Sequence, residues 1–283
     1  MAINHQELEN KIKKIWERRD SFKGQSSADR DAVNAAVNLM DSGERTVIEK
    51  IEGEYECEYV LNEWLKQSIL LMFRMNENRL INNGDAVFYD KVPLKFENWT
   101  EVEFEKAGIR VLPTSLVRIS ASFGRGVVVM SGSIVNVGAR VGEGSMVDSG
   151  TTVGSCAWIG KKVHLSMNVG IGGVLEPVQA RPVIIGDGSF IGPSVQIVEG
   201  VLVEDEAVIQ GPLVLSKSTP IYDGTSKKWK EMDKGFIPAG AVVVPGVKNG
   251  TLCAVIKKYS DEQTKRKVST NELLHRHNAN VKQ

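Results

Sequence analysis

From Val111 onward, every sixth residue of this 283-residue chain is apolar: Val111, Val117, Phe123, Val129, Val135, Val141, Val147, Val153, Ile159, Leu165 and Ile171. The register breaks across residues 172–182 and resumes at Ile185, Ile191, Ile197, Val203 and Ile209. Only 42% of the chain is hydrophobic, so a series this long is not chance. Six is no multiple of the helix period of 3.6, but it is three times the strand period of two. The residue after each apolar position is often Gly, Asp or Asn, as at Asn136, Gly142, Asp148, Gly154 and Gly160. The residue two before it is small or branched, as at Ala139, Ser145, Thr151 and Ala157. Short strands joined by tight turns produce both patterns. Three strands and three turns close one coil of a triangular prism, and the repeated aliphatic residues fill it. Each coil then leans on its neighbours for burial, which is the logic of a hexapeptide β-solenoid.

The expected fold class is therefore mainly β, a parallel β-helix over residues 111–244 with about seven coils. The period does not fix the hand, although right-handed crossovers are the general rule. Two stretches leave the prism: residues 172–182, rich in Gly and Pro, and residues 222–235. Loops on a rigid scaffold often carry function. Ahead of the repeats, LENKIKKIWERR, ADRDAVNAAVNLMDSG (ending at Gly43) and LNEWLKQSILLMFRM have helical spacing, and residues 46–59 read as a hairpin turning near Glu52-Gly53. This part reads as a packed cap for the open solenoid end, with a further role in holding the acceptor as the alternative. After the repeats, TLCAVIKKYS reads as a strand and STNELLHRH as a short helix. The division is a mostly helical N-terminal domain at 1–108, the β-helix at 109–245, and a C-terminal extension at 246–283.

Charge and cysteine content exclude several classes. Lys+Arg and Asp+Glu both number 35, so there is no basic field for nucleic acid. Cys57, Cys156 and Cys253 are odd in number and far apart, which fits a reducing compartment and no disulfide framework. No Cys/His cluster has zinc spacing, so no metal is expected. The N-terminus lacks the apolar core of a signal peptide. The longest apolar run, near residues 68–73, is too short to span a bilayer. A cytoplasmic protein with no membrane or nucleic-acid partner is expected.

If each sixth residue points inward, its neighbours point outward. Arg110 before Val111, Asp148 after Val147, His164 before Leu165 and Gln196 before Ile197 should all face out. Taken alone, Asp148 is equally a turn-forming aspartate, and Arg110 a surface ion-pair partner. Gly170, Gly172 and Gly173 are either a turn or a place for close ligand approach. Lys257 and Lys258, like Lys217, are by themselves only solvated cations.

Several stretches go further than the period: FYDKVPLKF at 88–96, GIRVLP at 108–113, VGEGSMVDSGTTVGSCAWIGKKVHLS at 141–166, VGIGGVLEPVQARPVII at 169–185, VEGVLVEDEAVI at 198–209, CAVIKK at 253–258 and NELL at 271–274. In these the chain resembles the tetrahydrodipicolinate N-succinyltransferases, in order and over nearly its whole length. The resemblance implies a left-handed parallel β-helix and a homotrimer, with coenzyme A in a groove between adjacent subunits. It implies an acyl-CoA co-substrate and a small amino-dicarboxylate acceptor, ring-opened tetrahydrodipicolinate, in the diaminopimelate route to lysine. Asp148 falls on the family's catalytic or substrate-binding aspartate, and Arg110 on its substrate-binding arginine, where a guanidinium fork suits a dicarboxylate. Gly172 and Gly173 would lie against the acyl donor, with backbone N–H groups there binding the thioester carbonyl, and Lys257 and Lys258 would meet its phosphates. Other hexapeptide acyltransferases use one histidine as a base, which makes His164 a candidate by analogy, but this family does not assign it that task, and a structural or hydrogen-bonding role is the first reading.

The departures from the family pattern are specific. Where the family carries S-E-V-V-E-G with a proposed general base, this chain has Gln196, and an amide takes no proton at neutral pH. Ser194 replaces an arginine, Gly150 a tryptophan, and Met167-Asn168 a Gly-Gly pair. Such changes fit an altered substrate or acyl group, or drift with the activity kept through Asp148 or a water. Succinyl transfer is the first reading. The alternatives are an acetyl-CoA-dependent relative of the kind found in the tabtoxin pathway, and a non-catalytic ligand-binding solenoid. A carbonic anhydrase of this fold needs several histidines, and His164 is the solenoid's single one.

Overall fold

The computed structural model describes residues 4–53, 57–83, 86–261 and 264. From Arg110 onward the chain is a run of two-residue strands whose partners are consecutive coils, not consecutive strands. The first face stacks Arg110 on Val128, Met146, His164, Phe190 and Val208. The second stacks Leu116 on Ile134, Thr152, Gly170, Gln196 and Val214. The third stacks Ser122 on Arg140, Trp158, Ile184, Leu202 and Phe236. All of these pairings are parallel, and residues 18 apart stand on adjacent rungs, as Arg140 and Trp158 do. Six coils are complete, and the strand Ala241–Lys248 begins a seventh by pairing with Val208–Ile209.

The sixth-residue series fills the prism, with Val129, Val147, Leu165, Ile191 and Ile209 fully buried in one continuous core. The small residues two places earlier also point inward. Several are hydroxyls that bridge coils: Ser145 Oγ donates to Gly160 O at 2.8 Å and accepts from Val163 N at 2.9 Å. Each corner needs one left-handed residue, which sets a second period of six: Gly126, Gly132, Gly138, Gly144 and Gly150 all have φ near +70°. Asn168 (φ 57°) and Ser194 (φ 62°) hold the same conformation without being glycine, at a cost of about 1 kcal/mol each.

The N-terminal part contains α1 (His5–Glu17), α2 (Ser27–Ser42) and α3 (Glu63–Met75). Asn4 caps α1 by accepting from Gln6 N and Glu7 N, and α2 stops at Gly43, which is left-handed. Strands β1 (Ile48–Glu52) and β2 (Cys57–Leu61) form the expected hairpin, although its turn beyond Gly53 lies outside the described residues. A second hairpin, β3 (Arg79–Asn83) with β4 (Ala86–Asp90), and α4 (Glu101–Ala107) sit in a stretch read only as mostly helical. Period-two alternation is weak in RLINN and AVFYD, which hid the strands.

The placement of this part divides the cap reading, since its long helices and first hairpin lie beside the solenoid and only its last segment covers the open end. The three long helices pack along the flank, burying Leu65, Ile69 and Met72 with Val137 and Cys156 of the solenoid corner. The β1–β2 hairpin lies on the third face, where Tyr59 meets Trp158 edge-on and Lys50 bridges Asp187 and Asp205 at 3.0 Å each. The open first coil is closed instead by Phe96, Trp99 and Phe104, stacked against Phe123. At the other end Thr251–Tyr259 pairs antiparallel with Ala241–Lys248, as expected of a closing strand. The helix expected at STNELLHRH lies outside the described residues. Both excursions leave the prism, and the second contains the small hairpin of Ile221–Asp223 and Lys230–Glu231. Among the described residues no helix is long and apolar enough to cross a membrane.

Candidate functional site

Asp148 is the first residue of the corner between the first and second faces. Its backbone N donates to Leu165 O in the coil above, and its Oδ1 accepts from Ser149 N at 2.7 Å. That fixes the carboxylate with Oδ2 pointing along the first face, 3.6 Å from His164 Nε2 one rung up. Both side chains are mostly covered yet open to solvent, at 27% and 21% exposure. Phe190 stands edge-on to the imidazole at 5.2 Å and fixes its plane. At 3.6 Å the contact is one of charge rather than a hydrogen bond, and a carboxylate beside a histidine at a half-open surface can stabilise the imidazolium formed when a proton is taken from an incoming amine.

Around the corner, the second face carries a groove of about 420 Å³ lined by Gly150, Asn168, Gly170, Gly172, Gly173 and Gln196, among others. It exists because the outward residue of this rung is Gly170: a Cβ built there would overlap the Gln196 amide. Gln196 Nε2 donates to Asn168 O at 3.3 Å, and Asn168 N donates to Ser149 O at 3.0 Å. Asp148 and Gln196 are thus joined through Ser149 and Asn168 across one corner. Gly150, Asn168 and Ser194 are the left-handed residues of successive turns of that corner. The four departures from the family pattern therefore converge on one edge of one groove. Asn168 leans across Gly150, where a Cβ would strike its Oδ1. Sequence reasoning marked Asn168 only as a departure; its bridging role needed the stacking register.

One expectation needs correction. Gly170 N and Gly172 N donate to Val195 O and Ile197 O within the ladder, so they cannot also hold a thioester carbonyl. Of the three glycines, Gly173 alone has an N–H without a bond to another described residue, and it is exposed. The remaining predicted residues are not brought together within one chain. Arg110 faces outward on the first face as expected, but three rungs below His164, about 14 Å at 4.8 Å per rung. Its Nε is buried with no hydrogen-bond partner among the described residues. Lys257 and Lys258 are exposed at the far end of the solenoid, and Lys258 Nζ is engaged by Asp261 Oδ2 and Thr264 Oγ1 at 3.0 and 2.8 Å.

The two described thiols can be set aside as nucleophiles. Burial pushes the Cys156 thiol up to about 12 and also raises that of Cys253. A thiol kept protonated is unreactive, so neither Cys156 nor Cys253 is suited to act as a nucleophile. Among the described residues no group of three or more His, Cys, Asp or Glu is placed to hold a metal ion.

The groove reading makes a direct prediction. Gly170 has an ordinary backbone conformation and its obstacle is a flexible side-chain end, so Gly170→Val should fold. Its branched side chain should fill the groove and raise the KM for acyl-CoA at least ten-fold, about 1.4 kcal/mol of lost donor binding. An unchanged KM in a folded variant would place the acyl donor elsewhere.

Comparison with known proteins bears on this site. A family model described as tetrahydrodipicolinate N-succinyltransferase N-terminal matches residues 7–75. The 2,3,4,5-tetrahydropyridine-2,6-dicarboxylate N-succinyltransferase of Pectobacterium atrosepticum is 49% identical over 278 residues, covering 95% of this chain and 98% of that protein. The enzyme of the same name from Acinetobacter baylyi is 46% identical over 279 residues, with 95% and 98% coverage. Among solved structures, a putative 2,3,4,5-tetrahydropyridine-2-carboxylate N-succinyltransferase from Campylobacter jejuni aligns with a TM-score of 0.51 at 16% identity. It covers 80% of this chain and 62% of that one, and at that identity the likeness speaks for the fold alone.

Proposed function

The chain belongs to the tetrahydrodipicolinate N-succinyltransferase family, and from that premise we propose that it transfers the succinyl group of succinyl-CoA to the amino group of ring-opened tetrahydrodipicolinate. The fold is a parallel β-helix of hexapeptide coils, as in the solved N-succinyltransferase it aligns with. The observation that carries the reading is the Asp148–His164 pair standing at the corner of a glycine-lined groove.

The chemistry follows from what an amine needs in order to attack a thioester. Hydration opens the cyclic imine to an amine and a ketone. The amine nitrogen bonds to the thioester carbon, and its proton leaves to the Asp148–His164 pair. Phe190 sets the plane of the imidazole and the Asp148 charge stabilises the imidazolium formed in that transfer. The carbonyl oxygen becomes an oxyanion, for which the Gly173 N–H is the donor on this wall. Collapse of the intermediate breaks the carbon–sulfur bond. The leaving thiolate takes a proton, giving free coenzyme A and N-succinyl-2-amino-6-oxopimelate. Holding the two reactants in one groove contributes several kcal/mol of the rate.

The residues that one chain keeps apart are assigned across a subunit boundary in a homotrimer. Arg110, with its unsatisfied Nε, receives a carboxylate of the acceptor. Lys257 and Lys258 meet the phosphates of coenzyme A, Lys257 being the one without a local partner among the described residues. The apolar residues Ile134 and Val214 exposed on the second face support burial of that face between copies.

Gln196 cannot serve as a base, and its amide donates to Asn168 O. Gln196→Glu would remove that donated bond and set a carboxylate against the carbonyl, loosening the groove edge at Asn168. The expected result is a several-fold higher KM for succinyl-CoA, about 1 kcal/mol, with kcat little changed. A rise in kcat would mean that the amide handicaps the enzyme.

The discriminating assay offers succinyl-CoA or acetyl-CoA with tetrahydrodipicolinate and follows free thiol. Thiol release with succinyl-CoA is expected. Release with acetyl-CoA alone would move the reading to acetyl transfer, and release with neither would leave a ligand-binding solenoid.

A further inference from the structure

We infer that Lys66, on a helix outside the solenoid, is a positioning residue for the acyl-donor groove, fixing the 172–182 excursion from behind. The inference rests on the functional reading of that groove. Lys66 lies in α3 and is fully buried, at 0% exposure. Its Nζ donates to Pro177 O at 3.1 Å and to Ala180 O at 2.9 Å, across 111 and 114 residues of sequence. No carboxylate among the described residues forms an ion pair with it. A buried ammonium satisfied only by carbonyls is costly, and burial pulls its pKa below the ordinary lysine range.

The excursion has few other ties. At its start Val174 N donates to Ser155 O at 3.1 Å, and at its end Arg181 Nη2 donates to Gly200 O at 3.0 Å. Between them, Leu175 packs into the helical cluster and Ala180 N closes a turn on Pro177 O. The only side chain from outside the solenoid that hydrogen-bonds the middle of the loop is Lys66, among the described residues. The loop begins with Gly172 and Gly173, which line the groove. Releasing its middle therefore loosens the wall on which Gly173 presents its N–H. The base of the pin is firm, since Leu65 and Ile69 beside it are fully buried and Ile69 reaches the solenoid corner at Gly138. Packing alone would ask for an apolar residue here; two carbonyl bonds to one excursion are a positioning arrangement.

The test uses Lys66→Met, which keeps the volume and removes the charge. In the variant without ligand, hydrogen exchange at residues 174–181 should accelerate while the solenoid coils stay unchanged. The KM for acyl-CoA should rise about five-fold, with kcat within about two-fold of wild type. Unaltered exchange at 174–181, or faster exchange with an unaltered KM, overturns the inference, as does uniform loosening of the whole chain. Because the exchange measurement needs no acyl-CoA, it judges the pin even where the functional reading fails. If the variant does not fold, the wild-type protein serves: adding coenzyme A should slow exchange at 174–181 and in α3 around Lys66 together. Slowing confined to the groove rejects the coupling.

Discussion

Asp148→Asn is expected to lower turnover at least ten-fold, a loss of about 1.4 kcal/mol or more of transition-state stabilisation. The substitution is close to isosteric, and the retained Oδ1 can still accept from Ser149 N, so the corner should survive. What disappears is the negative charge 3.6 Å from His164 Nε2, which stabilises the imidazolium when it takes the amine proton. The effect should appear in kcat with little change in the KM for acyl-CoA, since Asp148 is not part of the groove lining. Single-turnover release of thiol, compared with wild type at matched protein concentration, measures it. Unchanged turnover would remove Asp148 from the chemistry and leave it a turn residue.

Leu165→Ala should cost about 2–5 kcal/mol of stability, the range for a buried leucine whose cavity cannot close. Leu165 is fully buried, and the coils above and below it are fixed by strand pairing to Val147 and Ile191. Those ladders hold the prism walls apart, so relaxation into the cavity is small. Met167→Ala, two residues away but 50% exposed, should change stability by less than about 0.5 kcal/mol and serves as the control. Urea unfolding of the two variants decides the matter: equal midpoints would contradict an inward Leu165. Because each coil contacts only its neighbours, the damage should be greatest in the flanking coils, which hydrogen exchange can map.

The solenoid was legible because one physical constraint repeats: every sixth side chain must be apolar to fill the prism. The inward series from Val117 to Ile209 and both excursions follow from that alone. The outward placement of Asp148, His164 and Gln196 followed from strand parity. What the period could not supply was stacking between rungs separated by excursions. The contact of Gln196 with Asn168, 28 residues away, depends on where the 172–182 loop returns to register. The glycine N–H groups were misjudged for a related reason: a ladder bond at Gly172 is visible only once Ile197 is known to lie above it. Lys66 was invisible because a lysine inside an amphipathic helix reads as solvated, and its partners are backbone carbonyls, which carry no sequence signature. The flank placement of the helices was hidden likewise, since the same apolar stripes would serve a cap over the solenoid end.

The way the excursions rejoin the ladder has a consequence for how such a chain can change. Trp158 meets Ile184 across 26 residues and Leu202 meets Phe236 across 34, yet both pairs sit in the same rung relation as Arg140 and Trp158 across 18. The framework thus tolerates extra length at its edges without passing any offset to the coils beyond. A segment grafted between Gly173 and Val183 could be lengthened, shortened or exchanged for another, and the wall carrying Asp148 and His164 would keep its dimensions. The edge of the groove is in this sense a removable part, mounted on a ruler whose graduations do not move.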